Sequence, residues 1–191
     1  MVENSERLTA EEFYAHPGRD GAELVRGMMR VSEPPGGFHG VLAGRLAAKL
    51  VAHVEQHGLG TVLVESGYLL RRDPDTVRGP DLSFITAARL PADRMPIAFI
   101  PIAPDLAIEV LSPEDRPGEI EERIADFLEA DTRMVWVVDP SRRRVLVHRR
   151  SRPPRVVGAG GALDGEDVVP GFRLSMVELF GGAPMAPSAR A

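Results

Sequence analysis

Two acidic residues stand inside segments that otherwise read as buried strand. Asp81 opens the apolar run Asp81-Leu82-Ser83-Phe84-Ile85 directly after Gly79-Pro80. Glu109 lies within Leu106-Ala107-Ile108-Glu109-Val110-Leu111. Strand alternation sets Leu106, Ile108 and Val110 on one face and Asp105, Ala107, Glu109 and Leu111 on the other. A charge in such a place must be paired, bind a metal or sit at an opening in the sheet. Two acids converging from neighbouring strands form an oxygen-rich site for a hard cation such as Mg²⁺. An ion there lowers the pKa of water and neutralises charge on a phosphate in transfer. Taken singly, the same residues read more simply as a turn cap for Asp81 and an arginine-paired carboxylate for Glu109.

A third residue breaks the pattern. Between Glu119 and Glu129, the residues Ile120, Ile124, Phe127 and Leu128 recur at helical spacing, and Arg123 falls inside that stripe. A cation turned toward the core side requires an anionic partner, and the strand carrying Glu109 immediately precedes this helix. The plainer alternative is a snorkelling arginine paired along its own helix with Glu119 or Asp126.

The elements that must position these residues are legible in outline. Thr9 and Glu12 form a capping box for a helix, with Leu8 and Phe13 as its staple. Residues 22–32 read as two short strands hinged at Gly27, and Pro34-Pro35-Gly36-Gly37 as a loop. Phe38, Val41, Leu42, Leu46, Leu50 and Val54 define a long helix over 38–57, stopped at Gly58. Thr61 to Leu70 reads as one strand bent near Gly67, and Asp73-Pro74-Asp75 as a turn. Residues 86–103 are broken by prolines and include a short helix. Helix is expected over 118–130, strand over 134–138, a second strand near 144–149 and an edge strand over 155–157. Leu174 to Leu179 repeats the capping box and staple for a last short helix. The order predicts one mixed sheet with helices on its faces, an α/β (α+β-like) fold, rather than a regularly alternating parallel sheet. One domain over residues 1–180 and a flexible Gly/Ala/Pro-rich tail over 181–191 are expected.

Composition narrows the chemistry. The chain has 191 residues, 43% of them apolar, enough for a substantial core. It has no cysteine, which removes disulfides, thiolate nucleophiles and cysteine-rich zinc sites, and fits a cytoplasmic location. The opening residues are polar and acidic, so no secretory signal is expected, and no apolar run is long enough to span a membrane. The net charge of −5 gives no global attraction for phosphates. Any nucleic-acid site must be a local basic patch or act through metal ions. Lys49 is the only lysine.

Several segments together resemble a known family. Gly79-Pro80-Asp81-Leu82-Ser83-Phe84-Ile85, then Ala103-Pro104-Asp105-Leu106-Ala107-Ile108-Glu109-Val110-Leu111-Ser112-Pro113, then Val135-Trp136-Val137-Val138-Asp139-Pro140 are similar to the bacterial Uma-two family of restriction endonucleases. Ala22-Glu23-Leu24-Val25-Arg26-Gly27 and Val169-Pro170-Gly171-Phe172-Arg173-Leu174 match as well, so the resemblance covers roughly residues 8 to 180. It implies the restriction-endonuclease-like core of the PD-(D/E)XK superfamily, with Asp81 and Glu109 as ligands of Mg²⁺ (or Mn²⁺). It implies Glu23 as an assisting acid, which helps bind metal or orient water, and His39 as a weaker candidate. It also implies hydrolysis of phosphodiester bonds in nucleic acid, DNA first, by a homodimer. The superfamily's usual lysine two residues after the second acid is Leu111 here. Relatives that move it to the following helix carry it where this chain has Arg123. Arginine holds a phosphate and stabilises charge, but it does not give up its proton at ordinary pH.

The segment Arg142 to Arg155 is the one dense basic stretch, and reads either as a rail for a phosphate backbone or as a solvated hairpin balancing the acids. Trp136 reads as core, and Gly158 to Gly161 as a turn. No zinc-protease helix motif or nucleophile elbow is present. Three functions remain open: a metal-dependent endonuclease, a catalytically impaired relative that binds nucleic acid or protein without cutting, and a metal-dependent hydrolase of small substrates. The endonuclease expectation is that the Asp81 and Glu109 carboxylates approach closely enough to share one cation, with the Arg123 head group facing them.

Overall fold

The computed structural model describes residues 7–181. At its centre is a six-stranded mixed sheet. In chain order its strands are β3 (Gly60–Val64), β6 (Leu82–Thr86), β7 (Leu106–Val110), β8 (Met134–Asp139), β9 (Arg144–Arg149) and β10 (Arg152–Val157). They lie side by side as β10-β9-β8-β7-β6-β3. Only β7 and β8 run parallel. Their connection is α3 (Pro117–Glu129), the helix a parallel crossover requires.

Alternation along β7 assigns the two faces. Leu106, Ile108 and Val110 join Trp136 and Val138 on one face, covered by Leu42, Leu46, Leu50 and Val54 of α2 (Gly37–Gln56). The opposite face presents Ala107, Val135 and Val137 to Ile124 and Phe127 of α3. Glu109 therefore points to the α3 side, as the sequence predicts. The first face is completed by α4 (Met176–Phe180), capped by Ser175 with Glu178 closing the box. A two-stranded ribbon of β11 (Ala162–Asp164) and β12 (Arg173–Ser175) adds Leu163 and Leu174 to the same cluster.

A second sheet has the order β2-β1-β5-β4, formed by β1 (Ala22–Val25), β2 (Met28–Val31), β5 (Thr76–Arg78) and β4 (Tyr68–Arg71). It packs with α1 (Ala10–Ala15) around Phe13, Leu24 and Val77. Here the structure departs from the expectation of one sheet and one bent strand over 61–70. Glu65 turns with φ +46°, and the chain leaves the central sheet after Val64 to enter the second at Tyr68. Gly67 makes the turn possible, because a Cβ there would lie 2.5 Å from the Phe99 ring.

The short helix expected in 86–103 is a 3-10 turn over Ala92–Arg94. The edge strand β10 starts three residues earlier than expected and carries Pro153 and Pro154, which an edge tolerates. Gly181, expected as the first residue of the tail, donates its N–H to Val177 O as the C-cap of α4. The remainder of that tail, 182–191, lies outside the described residues. Among the described residues no helix is long and apolar enough to cross a membrane.

Candidate active site

The antiparallel register of β6 and β7 pairs Leu82 with Ile108, so one step further along the strands sets Asp81 opposite Glu109. Asp81 precedes β6 at the exit from Gly79-Pro80. Its Oδ2 accepts the Val110 N–H at 2.6 Å, which ties it to the end of β7. Its Oδ1 lies 3.0 Å from His39 Nε2 in the first turn of α2. That contact, more than the opposing effect of burial, raises the His39 pKa above its ordinary value.

Glu109 is buried at 3% exposure. Its Oε2 accepts from Arg123 Nη1 at 2.8 Å. Its Oε1 is buried with no hydrogen-bond partner. Burial outweighs the attraction of Arg123 and pushes the carboxyl up to about 8, with the charges of Asp81 and Glu23 adding to the rise. Burial pulls the Arg123 guanidinium down, but Glu109 and Glu23 outweigh it and hold it firmly charged.

Glu23, on β1, reaches the same cluster from the second sheet. Its Oε1 accepts the Gly79 N–H at 2.8 Å. Its Oε2 accepts from Arg123 Nη2 at 3.0 Å and from Arg78 Nη1 at 2.9 Å. The alternatives of Glu119 or Asp126 as the partner of Arg123 are not realised, since Asp126 is bonded to Arg78. The structure thus brings Asp81, Glu109, Arg123, Glu23 and His39 to one solvent-reached cleft of about 530 Å³, lined also by Ser32, Glu33, Pro34 and Pro35.

Arg78 is the residue the sequence reading missed. It lies in a three-residue strand with no readable period, and its partners sit on β1 and α3. The one available signal was its place two residues before Pro80-Asp81.

Among the described residues no group of three or more histidine, aspartate or glutamate side chains is arranged to hold a metal ion. Two carboxylates lining one cleft, Asp81 and Glu109, still suit one kind of ion. Mg²⁺ is typically held by one or two carboxylates and completes its shell with water and phosphate oxygens. Glu109 Oε1 is a buried acceptor without a donor, and a cation would satisfy it.

The basic hairpin is built differently. Arg142 and Arg144 close on Asp139, Arg149 on Glu166 and Asp167, Arg150 on Asp131 and Arg155 on Glu166. Arg143 donates to Phe180 O. Most of the hairpin arginines therefore balance neighbouring acids, as one of the two readings had it. Trp136 is fully buried.

Comparison with known proteins agrees with this architecture. The Uma2 family model, described as "Putative restriction endonuclease", matches residues 10–177. A search of curated proteins finds no match. Among solved structures, the fold is similar to that of a protein from Anabaena variabilis ATCC 29413, described as a putative nuclease belonging to DUF820. The TM-score is 0.81 at 23% identity, over 91% of this chain and 97% of that one. The mixed α+β core expected from the sequence is therefore the fold of a solved relative.

Proposed function

This chain belongs to the Uma2 family, and from that premise we propose that it is a metal-dependent endonuclease that hydrolyses phosphodiester bonds of nucleic acid, DNA first. The observation that carries the reading is the buried, donorless Oε1 of Glu109 beside Asp81 in a solvent-reached cleft. A carboxylate held like this pays its desolvation cost only if a positive charge arrives, and the Arg123 contact reaches its other oxygen.

In this reading Asp81 and Glu109 hold Mg²⁺ or Mn²⁺. The ion supplies Lewis acidity, lowering the pKa of water and neutralising charge on the phosphate. The protein's own groups do the rest. Val110 N–H and His39 fix the Asp81 carboxylate. Arg123 keeps its charge in a largely desolvated site and offers a guanidinium to the phosphoryl oxygens. Glu23 assists by holding that guanidinium, through the hydrogen bond its Oε2 accepts from Arg123. The protein acts as one domain, in the cytoplasm, and as a homodimer, because cutting both strands of a duplex needs two clefts.

The test is cleavage of supercoiled plasmid, single-stranded DNA, RNA and bis(p-nitrophenyl) phosphate in Mg²⁺, Mn²⁺ or EDTA. Nucleic-acid cleavage is expected with metal only. Asp81→Asn and Glu109→Gln should each reduce it by at least about 100-fold, the upper range for loss of even an outer-shell partner. Cleavage of the small diester alone would transfer the site to a small-molecule hydrolase.

A second reading has its own support. Arg123 is engaged by two carboxylates and cannot act as a base at ordinary pH. Nucleic-acid binding without cleavage, in the native protein and in Arg123→Lys alike, would identify a catalytically lapsed binding protein.

A further inference from the structure

Asp126 is nearer to Arg123 along the sequence than either acid that Arg123 uses. Asp126 lies three residues along α3, the spacing at which side chains on one helix meet. Asp126 is nevertheless bonded to Arg78, whose Nε donates to its Oδ2 at 2.8 Å and whose Nη2 lies 2.7 Å from the same oxygen. Arg78 is 3% exposed and Asp126 6%. A buried ion pair of this kind stays closed, because separating it strands both charges.

The other end of the Arg78 guanidinium meets Glu23. Arg78 Nη1 donates to Oε2 at 2.9 Å, the oxygen that also accepts from Arg123. Gly79 N–H engages Oε1. Arginine prefers to grip a carboxylate with two parallel hydrogen bonds. With Oε1 taken by Gly79 and Oε2 shared with Arg78, Arg123 is left a single bond to Glu23. Its second nitrogen is free to reach Glu109.

We propose that Arg78 is a positioning residue that sets the Arg123 head group, by withdrawing Asp126 from it and by limiting its hold on Glu23. What the head group then does rests on the nuclease reading above; the positioning rests on the hydrogen bonds alone. Arg78 belongs to the second sheet and Asp126 to α3, so their ion pair also ties that sheet to the helix.

The test uses two variants of the full chain. Arg78→Lys keeps the charge and loses the fork. The pair Arg78→Met with Asp126→Leu removes both buried partners, so that no carboxylate is stranded. The guanidinium resonances of Arg123 are followed in ¹⁵N-arginine-labelled protein and assigned by their loss in Arg123→Lys. They should shift and exchange faster in both variants. Plasmid cleavage in Mg²⁺ should lose about tenfold in kcat, the lower range for an outer-shell partner, with KM held within about twofold. A purely structural role would lower thermal stability and leave the Arg123 resonances in place. Unchanged Arg123 resonances in both variants overturn the inference, whatever cleavage does. Shifted resonances in a protein that cuts nothing, native or variant, would uphold the positioning role and remove the nuclease reading instead.

Discussion

The guanidinium of Arg123 stands between two carboxylates in the cleft. Its two nitrogens divide between Glu109 and Glu23, a bridging geometry that a single ammonium cannot reproduce. Lysine there would retain one carboxylate contact and gain a proton it can surrender. We expect Arg123→Lys to raise Mg²⁺-dependent cleavage at least tenfold, a modest part of the ~10²–10⁴ that positioned proton transfer contributes. Equal or lower turnover would assign the native arginine a purely electrostatic part. The residues at stake were legible because each violates its local pattern: an acid after the proline of an apolar strand, an acid within another, a cation in an apolar helical stripe. Glu23 violated nothing and came from resemblance alone. Arg78 had neither signal, because its partners lie far along the chain.

Elements with a long period were read well, and short or sheet-switching ones were not. α2 and α3 lie within a residue or so of their expected limits because their apolar stripes run over several turns. β5, β11 and β12 have three residues each, too few to display alternation. The division of residues 61–70 between two sheets depends on Phe99 standing over Gly67, a contact no local window contains. Close backbone approach governs the start of β3 too. A Cβ on Gly60 would lie 2.1 Å from Ile85 O, with no flexible side chain to yield. Gly60→Ala should cost about 1–3 kcal/mol as an overpacking change, lowering Tm by about 2–4 °C per kcal/mol in calorimetry. An unchanged Tm would mean that the β3–β6 pairing shifts freely. The turn from β8 to β9 carries a pH dependence. Burial pushes Asp139 up, but Ser141 Oγ, the Arg142 N–H and the guanidiniums of Arg142 and Arg144 outweigh it and hold the carboxyl below its usual 3.8. A depressed folded-state pKa gives stability that is present above the unfolded value and lost as pH falls through the folded one. Asp139→Asn should therefore lower stability at pH 7 and flatten its decline below about pH 4. An acid limb as steep as the native one, in urea unfolding at each pH, would remove Asp139 from that account.

At the scale of the whole molecule the charges are arranged against a simple electrostatic dock. The net charge is −5, and most of the hairpin arginines are paired with neighbouring acids. The cleft is lined by seven carboxylates, Asp20, Glu33, Glu65 and Asp115 among them, against two arginines. A polyanion approaching that cleft meets repulsion until divalent cations enter, so nucleic-acid binding should depend on the metal first and on arginines second. Anisotropy of a labelled duplex measures this directly. Binding in Ca²⁺, a hard cation with the same taste for oxygen donors, should be at least tenfold tighter than in EDTA at equal ionic strength. The combined Arg142→Gln and Arg144→Gln variant should bind within about twofold of native in Ca²⁺, because neither guanidinium is free to release a counterion from phosphate. The opposite outcome has a definite meaning. Tight binding in EDTA that weakens steeply with salt and disappears in the arginine variant would place the nucleic acid on the β8–β9 hairpin. The carboxylate cleft would then have to act on something other than the strand that the hairpin holds.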